Sequence, residues 1–479
     1  MLAETTLPRT PRAGEGLAVE EVRQRVVGLD VRVPLLDGSQ RPYINLDNAA
    51  STPAFWDVVE TLDLFLPWYA SIHRGTGFKS ELATQAYDDA RSLVGYFFGI
   101  DRASQVVIFV KNTTEALNKA ARRIHLAEDD VVLISLMEHH SNDLPWRGQA
   151  QVVHAAVTAD GHLDVEDLRR KFVQYGPRVK LLAITGASNV TGSLNPIHEL
   201  AELAHQHAVP ILVDAAQLAP HRAINLLPAN NPGHIDFLVA SAHKMYAPYG
   251  TGVLIGPRGA FEQDGPDYSG GGTVEIVTED EVYWNSPPER DEAGSPNVVG
   301  AVAMATACRV LTEFGMDRLA EHEAALTRYT LTELSKIPGL EIYGDSDPAR
   351  ADQRLGVIPL NIKGLSHFLV ASVLSVEYGI GVRNGCFCAH PYVLRLLDIP
   401  DPVAWSWRKQ VISGVRAHLP GLVRISFGCY NSAEEVDWLV RALRNIARGE
   451  IAGDYEQDLA SGRFQERSFR PELDEYFKL

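Results

Sequence analysis

Between about residue 44 and residue 260 the chain alternates short apolar runs with longer segments of helical spacing. Seven runs read as strands: QVVIFV (105–110), DVVLISL (130–136), QVVHAAV (151–157), VKLLAIT (179–185), VPILVD (209–214), IDFLVA (235–240) and GVLIG (252–256). Continuous rather than alternating hydrophobicity over so few residues marks strands covered on both faces. Between them lie SELATQAYDDARSLVGYFFG (80–99), TEALNKAARRIH (114–125), DVEDLRRKFVQY (164–175) and IHELAELAHQHA (197–208), patterned as amphipathic helices. This alternation predicts an α/β fold built on a mostly parallel seven-stranded sheet, with ligands collecting at the carboxyl ends of its strands.

The flanking regions read differently. Residues 1–16 form a polar, Pro- and Gly-containing tail, and LAVEEVRQRVVG (17–28) is spaced like a short amphipathic helix. Residues 263–297, with GGG at 270–272, read as loop. The helical stretch VVGAVAMATACRVLTEFG (298–315) opens an α+β region with strands at LEIYG (340–344), VIPLNI (357–362) and VRISFG (423–428). We therefore expect a tail and helix over 1–40 that packs with the small domain, and a large domain over 41–297. A small domain over 298–448 and a charged, aromatic extension over 449–479, exposed or draped on a partner, complete the plan.

Length and charge narrow the function class. At 479 residues the chain is long enough for two lobes. A net charge of −17 without any Lys/Arg-rich run argues against nucleic acid or anionic membrane as partner and favours a small-molecule enzyme. No run approaches the ~20 apolar residues of a membrane span. The N-terminus lacks the apolar stretch of a secretory signal, and four cysteines fit a reducing cytoplasm better than a disulfide framework.

Candidate chemistry clusters at the strand ends. Lys244, in SAHKMYAPYGTG (241–252), follows IDFLVA, and Asp214 ends VPILVD with Gln217 three residues on. A strand-end lysine is costly to bury unless paired, deprotonated or converted to an imine. Singly, the two residues read as a solvated lysine and an N-cap. Together they suit pyridoxal 5'-phosphate (PLP), which needs an amine for its aldehyde and a carboxylate for its ring nitrogen. Thr113 and Thr114 open a helix after the first strand, as a phosphate cradle or a plain N-cap. His139, in MEHHSNDLPW (137–146), can stack on an aromatic cofactor and move protons, or belong to a metal-binding or surface pair. Asn189 ends another strand, where its amide could donate to a phenolic oxygen. In GVRNGCFCAHPYV (381–393), Arg383 precedes Cys388 by five residues, a setting that favours a thiolate, while Cys386 reads as a buried, inert thiol.

The segments HRGTGFKSELAT (73–84), TTEALN (113–118), EHHSNDLPW (138–146), SNVTG (188–192), VDAAQLAPH (213–221), SAHKMYAPYGTGVL (241–254), EAGSPN (292–297) and GCFCAHP (385–391) carry a resemblance. In order and approximate spacing they resemble the class V aminotransferase-like PLP enzymes, above all the group II cysteine desulfurases and selenocysteine lyases, over about residues 40–445. The resemblance implies a homodimeric fold-type I enzyme with its site at the subunit interface. Lys244 would carry PLP and move protons at Cα, Asp214 would pair with the ring nitrogen, and His139 would stack on the ring. Asn189 and Gln217 would bond the ring oxygen. Thr114, Ser241 and His243 would hold the phosphate, joined by Ser295 of the neighbouring subunit, where the family usually has Thr. Arg424, in VRISFGCYNSAEEV, would clasp the substrate carboxylate, and Cys388 with Arg383 nearby would take sulfur as a persulfide and release alanine.

Several positions depart from that pattern. Gly77 and Gly186 stand where imidazoles are usual, SGHK reads SAHK, the residues before the nucleophile read CF, and Tyr249 replaces a smaller residue. These changes are expected to alter the substrate pocket while sparing the PLP contacts. The implied activity is removal of sulfur from L-cysteine, or selenium from selenocysteine, with delivery to an acceptor protein. A C–S lyase, epimerase or aminotransferase on another amino acid is the alternative, and a non-catalytic PLP-binding regulator a more remote one.

Overall fold

The computed structural model describes residues 18–73 and 75–479, so the tail expected at 1–16 lies outside the described residues. All seven anticipated strands form one sheet: β1 (Gln105–Val110), β2 (Val131–Ser135), β3 (Gln151–Ala155), β4 (Val179–Thr185), β5 (Ile211–Asp214), β6 (Phe237–Ser241) and β7 (Gly252–Pro257). Their order is β1-β7-β6-β5-β4-β2-β3. Only β7 runs against the others, pairing antiparallel with both β1 and β6. Side chains along each strand divide between two cores. Leu181 and Ala183 of β4 enter one, and Leu182 and Ile184 the other. Such two-sided burial is why these strands read as unbroken apolar runs.

Register places the functional strand ends side by side. Thr185 of β4 lies opposite Asp214 of β5, and Ser241 of β6 opposite Gly252 of β7. Gly252 is needed there: a Cβ would meet the Ala240 carbonyl oxygen at 2.6 Å and the Asn112 Cα at 2.9 Å. The apolar helix Val298–Phe314 packs in the large-sheet core beside Phe78–Phe97.

The small lobe is a four-stranded antiparallel sheet, β8 (Leu340–Ile342), β9 (Val357–Ile362), β10 (Arg383–Gly385) and β11 (Leu422–Ser426), ordered β8-β9-β11-β10. Helices His367–Tyr378 and Ala433–Ala447 cover it in a separate apolar core. The N-terminal segment binds to this lobe. Arg23 donates to the Tyr430 carbonyl and to Glu435, and Ile44–Asn45 pairs in parallel with Ile380–Gly381.

Two segments differ from the sequence reading. Within 263–297, read as loop, Val274–Val277 and Val282–Trp284 form a hairpin. Its Ile276, Val277, Val282 and Tyr283 are exposed, so no buried face imposes a readable alternation. Within 449–479, Tyr455–Gln457 and Phe464–Glu466 form a second hairpin that folds back on its own small lobe. The Tyr455 hydroxyl donates to Glu377 (3.0 Å), and the Ser372 hydroxyl donates to the Phe464 carbonyl (2.9 Å). Among the described residues no single helix is long and apolar enough to cross a membrane.

A buried carboxylate joins the lobes. Glu323 lies 2.9 Å from His221 Nδ1, and accepts from Arg222 Nη1 (2.6 Å) and the Gly356 N–H (2.9 Å). Burial would raise its pKa, but His221 and Arg222 outweigh burial and hold it down to about 2. A depressed carboxyl stabilises the fold fully above its unfolded value of 4.5, and that contribution is lost as the pH falls towards 2. Glu323→Gln should therefore cost about 3–5 kcal/mol at pH 7. Thermal melts of both proteins at pH 7 and pH 3 should show the gap narrowing in acid. An equal gap at both pH values would refute this reading.

Candidate active site

The carboxyl ends of β1, β6, β5 and β4 open into a cavity of about 500 Å³, closed from above by the small lobe. Lys244 reaches it from a turn immediately after β6. Burial lowers its pKa to about 8, Asp214 opposing the shift and Arg424 adding to it. Asp214, the last residue of β5, is fully buried; burial pushes its carboxyl up, against the Ala216 N–H at 3.0 Å and the charge of Lys244. Neither group is comfortably charged without a further partner in the cleft.

The floor beside them suits an anion. Helix Thr113–Arg123 starts at Asn112, whose side chain caps it by accepting from the Glu115 N–H (3.0 Å). Thr113 meets the Ser241 hydroxyl through its N–H (2.7 Å) and its own hydroxyl (2.6 Å), and Thr114 meets that of Ser141 (2.8 Å). Hydroxyls thus converge at the positive end of a helix. His243 borders this corner, its pKa lowered to about 4 by burial and by Lys244.

On the opposite wall, His139 Nδ1 accepts the Ser141 N–H (3.1 Å), so the neutral ring carries its proton on Nε2. Burial and then Lys244 lower its pKa to about 4, leaving an uncharged, flat ring at neutral pH. Its neighbour Glu138 is fully buried. It accepts from the Thr185 N–H (3.0 Å), the Asn142 amide (2.7 Å) and the Ser135 hydroxyl. Burial nevertheless pushes it up to about 8, with Asp214 adding to the rise.

The small lobe supplies the remaining groups. Arg383 and Arg424 are register partners on β10 and β11. Arg424 is buried, donating through Nη1 to the Asn189 carbonyl (2.9 Å) and through Nη2 to Asp47 Oδ1 (2.9 Å), with the Phe387 ring 4.8 Å away. Its Nε is buried without a hydrogen-bond partner. Arg383 lies 3.6 Å from the other Asp47 oxygen. Cys388 is exposed at the cleft mouth on a tight turn, where Phe387 and Cys388 take φ of 52° and 55°. Such backbone costs about 1–2 kcal/mol per residue. Two large-lobe bonds hold the turn: the Asn189 amide to the Phe387 carbonyl (2.8 Å) and the His140 N–H to the Cys388 carbonyl (2.7 Å). At about 1 kcal/mol each, they offset much of that strain. Cys386 points away, its thiol donating to the Pro420 carbonyl (3.2 Å), with its pKa pushed up to about 11 by burial and by Cys388.

Lys244, Cys388, His139, Thr113, Thr114, Asn189, Asp214, Gln217, Ser241, His243, Arg383 and Arg424 thus share one cavity. Ser295 does not; it lines a separate cavity of about 930 Å³ beside His73 and Gly272. The Asn189 and Gln217 amides already donate within the chain, Gln217 to the Ala49 carbonyl (2.7 Å). Sequence reasoning missed Asp47, Glu138 and Ser141. Glu138 had a usable signal, an acidic residue three positions beyond a buried strand; Asp47 had none, since its partners are distant in the chain. Of the departures Gly77, Gly186, Ala242, Tyr249, Cys386 and Phe387, only Phe387 lines this chain's own cavity. A Cβ at Gly186 would instead meet the Leu218 side chain at 2.7 Å.

These residues fit PLP: a buried amine of lowered pKa, a buried carboxyl, a flat neutral ring and an anion cradle, all within one cleft. A two-lobed α/β enzyme with a lysine at such a cleft is the class that fold and site define. The chain belongs to the aminotransferase class-V family, whose model matches residues 44–439, and whose members are PLP enzymes. It is 33% identical to a probable cysteine desulfurase of Halalkalibacterium halodurans, over 86% of this chain and 95% of that one. It is 35% identical to a cysteine desulfurase of Salmonella agona, over 85% and 94%. Among solved structures, apo cysteine desulfurase from Thermococcus onnurineus superposes with a TM-score of 0.78 at 30% identity, covering 91% of this chain and all of that one. An Escherichia coli cysteine desulfurase in S-sulfonic acid form gives 0.73 at 26%, with 91% and 100% covered.

Glu138 gives a test of the electrostatics. A carboxyl whose folded pKa is about 8 and unfolded value 4.5 favours the unfolded chain increasingly as the pH rises from 4.5 towards 8. Glu138→Gln removes that titration. Its melting temperature, measured against the wild type from pH 5 to pH 8.5, should gain relative to the wild type across this range. A constant difference would show that Glu138 is not held protonated.

Proposed function

We propose that this chain is a PLP-dependent cysteine desulfurase that takes sulfur from L-cysteine, or selenium from selenocysteine, and releases alanine. The observation that carries the proposal is Cys388 at the mouth of the cavity that also holds Lys244, Asp214 and Arg424. Bound there, PLP supplies an electron sink that acidifies the substrate Cα and loosens the Cβ–S bond.

The chain's own residues do the rest. With its pKa near 8, Lys244 is neutral often enough at physiological pH that it would bond the cofactor aldehyde and, once freed, would move the Cα proton. Asp214 would hold the ring nitrogen, His139 would face the ring, and Asn189 and Gln217 would bond the ring oxygen. The Thr113, Thr114, Ser241 and His243 corner would take the phosphate. The unpartnered Nε of Arg424 is a donor for the substrate carboxylate, with Arg383 near it. The Cys388 thiolate attacks the substrate sulfur. An S–S bond forms, the Cβ–S bond breaks, its electron pair stays with Cβ, and Cβ takes a proton to end as alanine. Exposure of Cys388 lets the resulting persulfide meet an acceptor protein. Ser295, outside its own chain's cleft, would complete the phosphate site of a second subunit in a homodimer. Four unpaired cysteines suit a cytoplasmic enzyme.

The test is turnover of L-cysteine by PLP-loaded protein, with alanine, sulfide and keto acid measured separately. Alanine and protein-bound persulfide should form in the wild type. Cys388→Ala should lose both yet keep the visible absorbance of bound PLP, whereas Lys244→Ala should lose the absorbance as well. Undiminished product from Cys388→Ala would favour a C–S lyase or aminotransferase.

A further inference from the structure

At the amino end of the large sheet, away from the cleft, three side chains converge on one point. His205 lies in the last turn of helix Ile197–Gln206, His234 in the loop between β5 and β6, and Asp236 immediately before β6. Their candidate ligand atoms all lie within 4.8 Å of one another. His205 Nε2 is 2.9 Å from Asp236 Oδ2, and His234 Nε2 is 3.3 Å from Asp236 Oδ1. The two rings stack, with centroids 4.1 Å apart and planes at 19°.

Backbone carbonyls fix the orientation of both rings. His205 Nδ1 lies 2.6 Å from the Pro232 carbonyl oxygen, and His234 Nδ1 lies 2.7 Å from that of Asn231. A carbonyl oxygen only accepts, so both Nδ1 atoms carry hydrogen and both Nε2 atoms are turned to the Asp236 carboxylate. That carboxylate is itself positioned by the Ile211 N–H at 2.8 Å.

We propose that His205, His234 and Asp236 form a binding site for a divalent transition metal of the Zn2+ class. A metal accepts both Nε2 lone pairs and the carboxylate at once. Hydrogen bonds from Nδ1–H to backbone carbonyls are the usual support of metal-bound histidine. His205 and His234 reach the two different oxygens of the Asp236 carboxylate, at 2.9 and 3.3 Å, a span that metal–ligand bonds of about 2.0–2.1 Å can bridge. Two imidazoles exclude Mg2+ and Ca2+, which take oxygen ligands, and favour Zn2+, Ni2+ or Cu2+. All three side chains are partly exposed, which gives the ion a way in and leaves a coordination position for water. The site would clip the helix end and the loop to the amino ends of β5 and β6, and it takes no part in chemistry at Lys244.

The experiment titrates chelator-washed, PLP-loaded protein with ZnCl2, following heat and melting temperature. Wild type, His205→Gln and His234→Gln are compared, with PLP absorbance confirming that each is folded. Thiols and imidazoles at the cleft bind zinc equally in all three, so the informative quantity is the difference. The wild type should take up one more equivalent per chain than either variant and gain several degrees that the variants do not. Equal zinc uptake in all three proteins overturns the proposal. So does a loss of melting temperature in the variants that is the same with and without zinc, which would mark an ion pair only.

Discussion

Burial of the Lys244 amine is the constraint around which this molecule is arranged. A charged ammonium in a closed cleft is expensive, and Asp214, the compensating carboxylate, is itself desolvated to the point of holding its proton more tightly. The pair is therefore poised rather than satisfied. Burial dominates both shifts, and burial comes from the sheet: Asp214 ends β5 opposite Val239, close to the end of β6, and the two strands are flanked by β4 and by the reversed β7, so both groups emerge beneath the small lobe. Glu138 extends the same logic. A second carboxyl close to Asp214 stays protonated, so negative charge in this corner is confined to one group.

The second organising feature is the seam between lobes. Asn189, from the end of β4, receives Arg424 on its carbonyl and gives its amide to the Phe387 carbonyl. Arg424 in turn reaches Asp47, which lies in the N-terminal segment that bridges to Ser426 of β11. The proposed carboxylate clamp and the proposed nucleophile are thus tied to the large lobe by the same asparagine. Their spacing is set by bonds between side chains and fixed backbone carbonyls, so only one partner in each has side-chain freedom to lose.

Much of this was readable in the chain because burial on two faces leaves an uninterrupted apolar run. The seven strands and the residues at their carboxyl ends fell where those runs predicted, and the cavity gathers twelve of the anticipated side chains. What escaped was long-range or exposed. Asp47 acquires its role from arginines more than three hundred positions away. Val274–Val277 and Val282–Trp284 pair with little burial, so their composition resembles loop. The helix Val298–Phe314, read as opening the small domain, packs in the large-sheet core; being apolar nearly all round, it carries no polar face to mark which core receives it.

Phe387 is where the chain's individuality enters the cleft. Its ring lies 4.8 Å from the Arg424 guanidinium, on the residue just before Cys388. An aromatic face stabilises a cation without neutralising it or offering it an acceptor. Arg424 therefore keeps its Nε free, whereas an imidazole could take that hydrogen bond or, when protonated, repel the guanidinium. Phe387 also puts apolar surface, and no titratable group, on the immediate approach to the thiol, while the guanidinium behind it stays electrostatically intact.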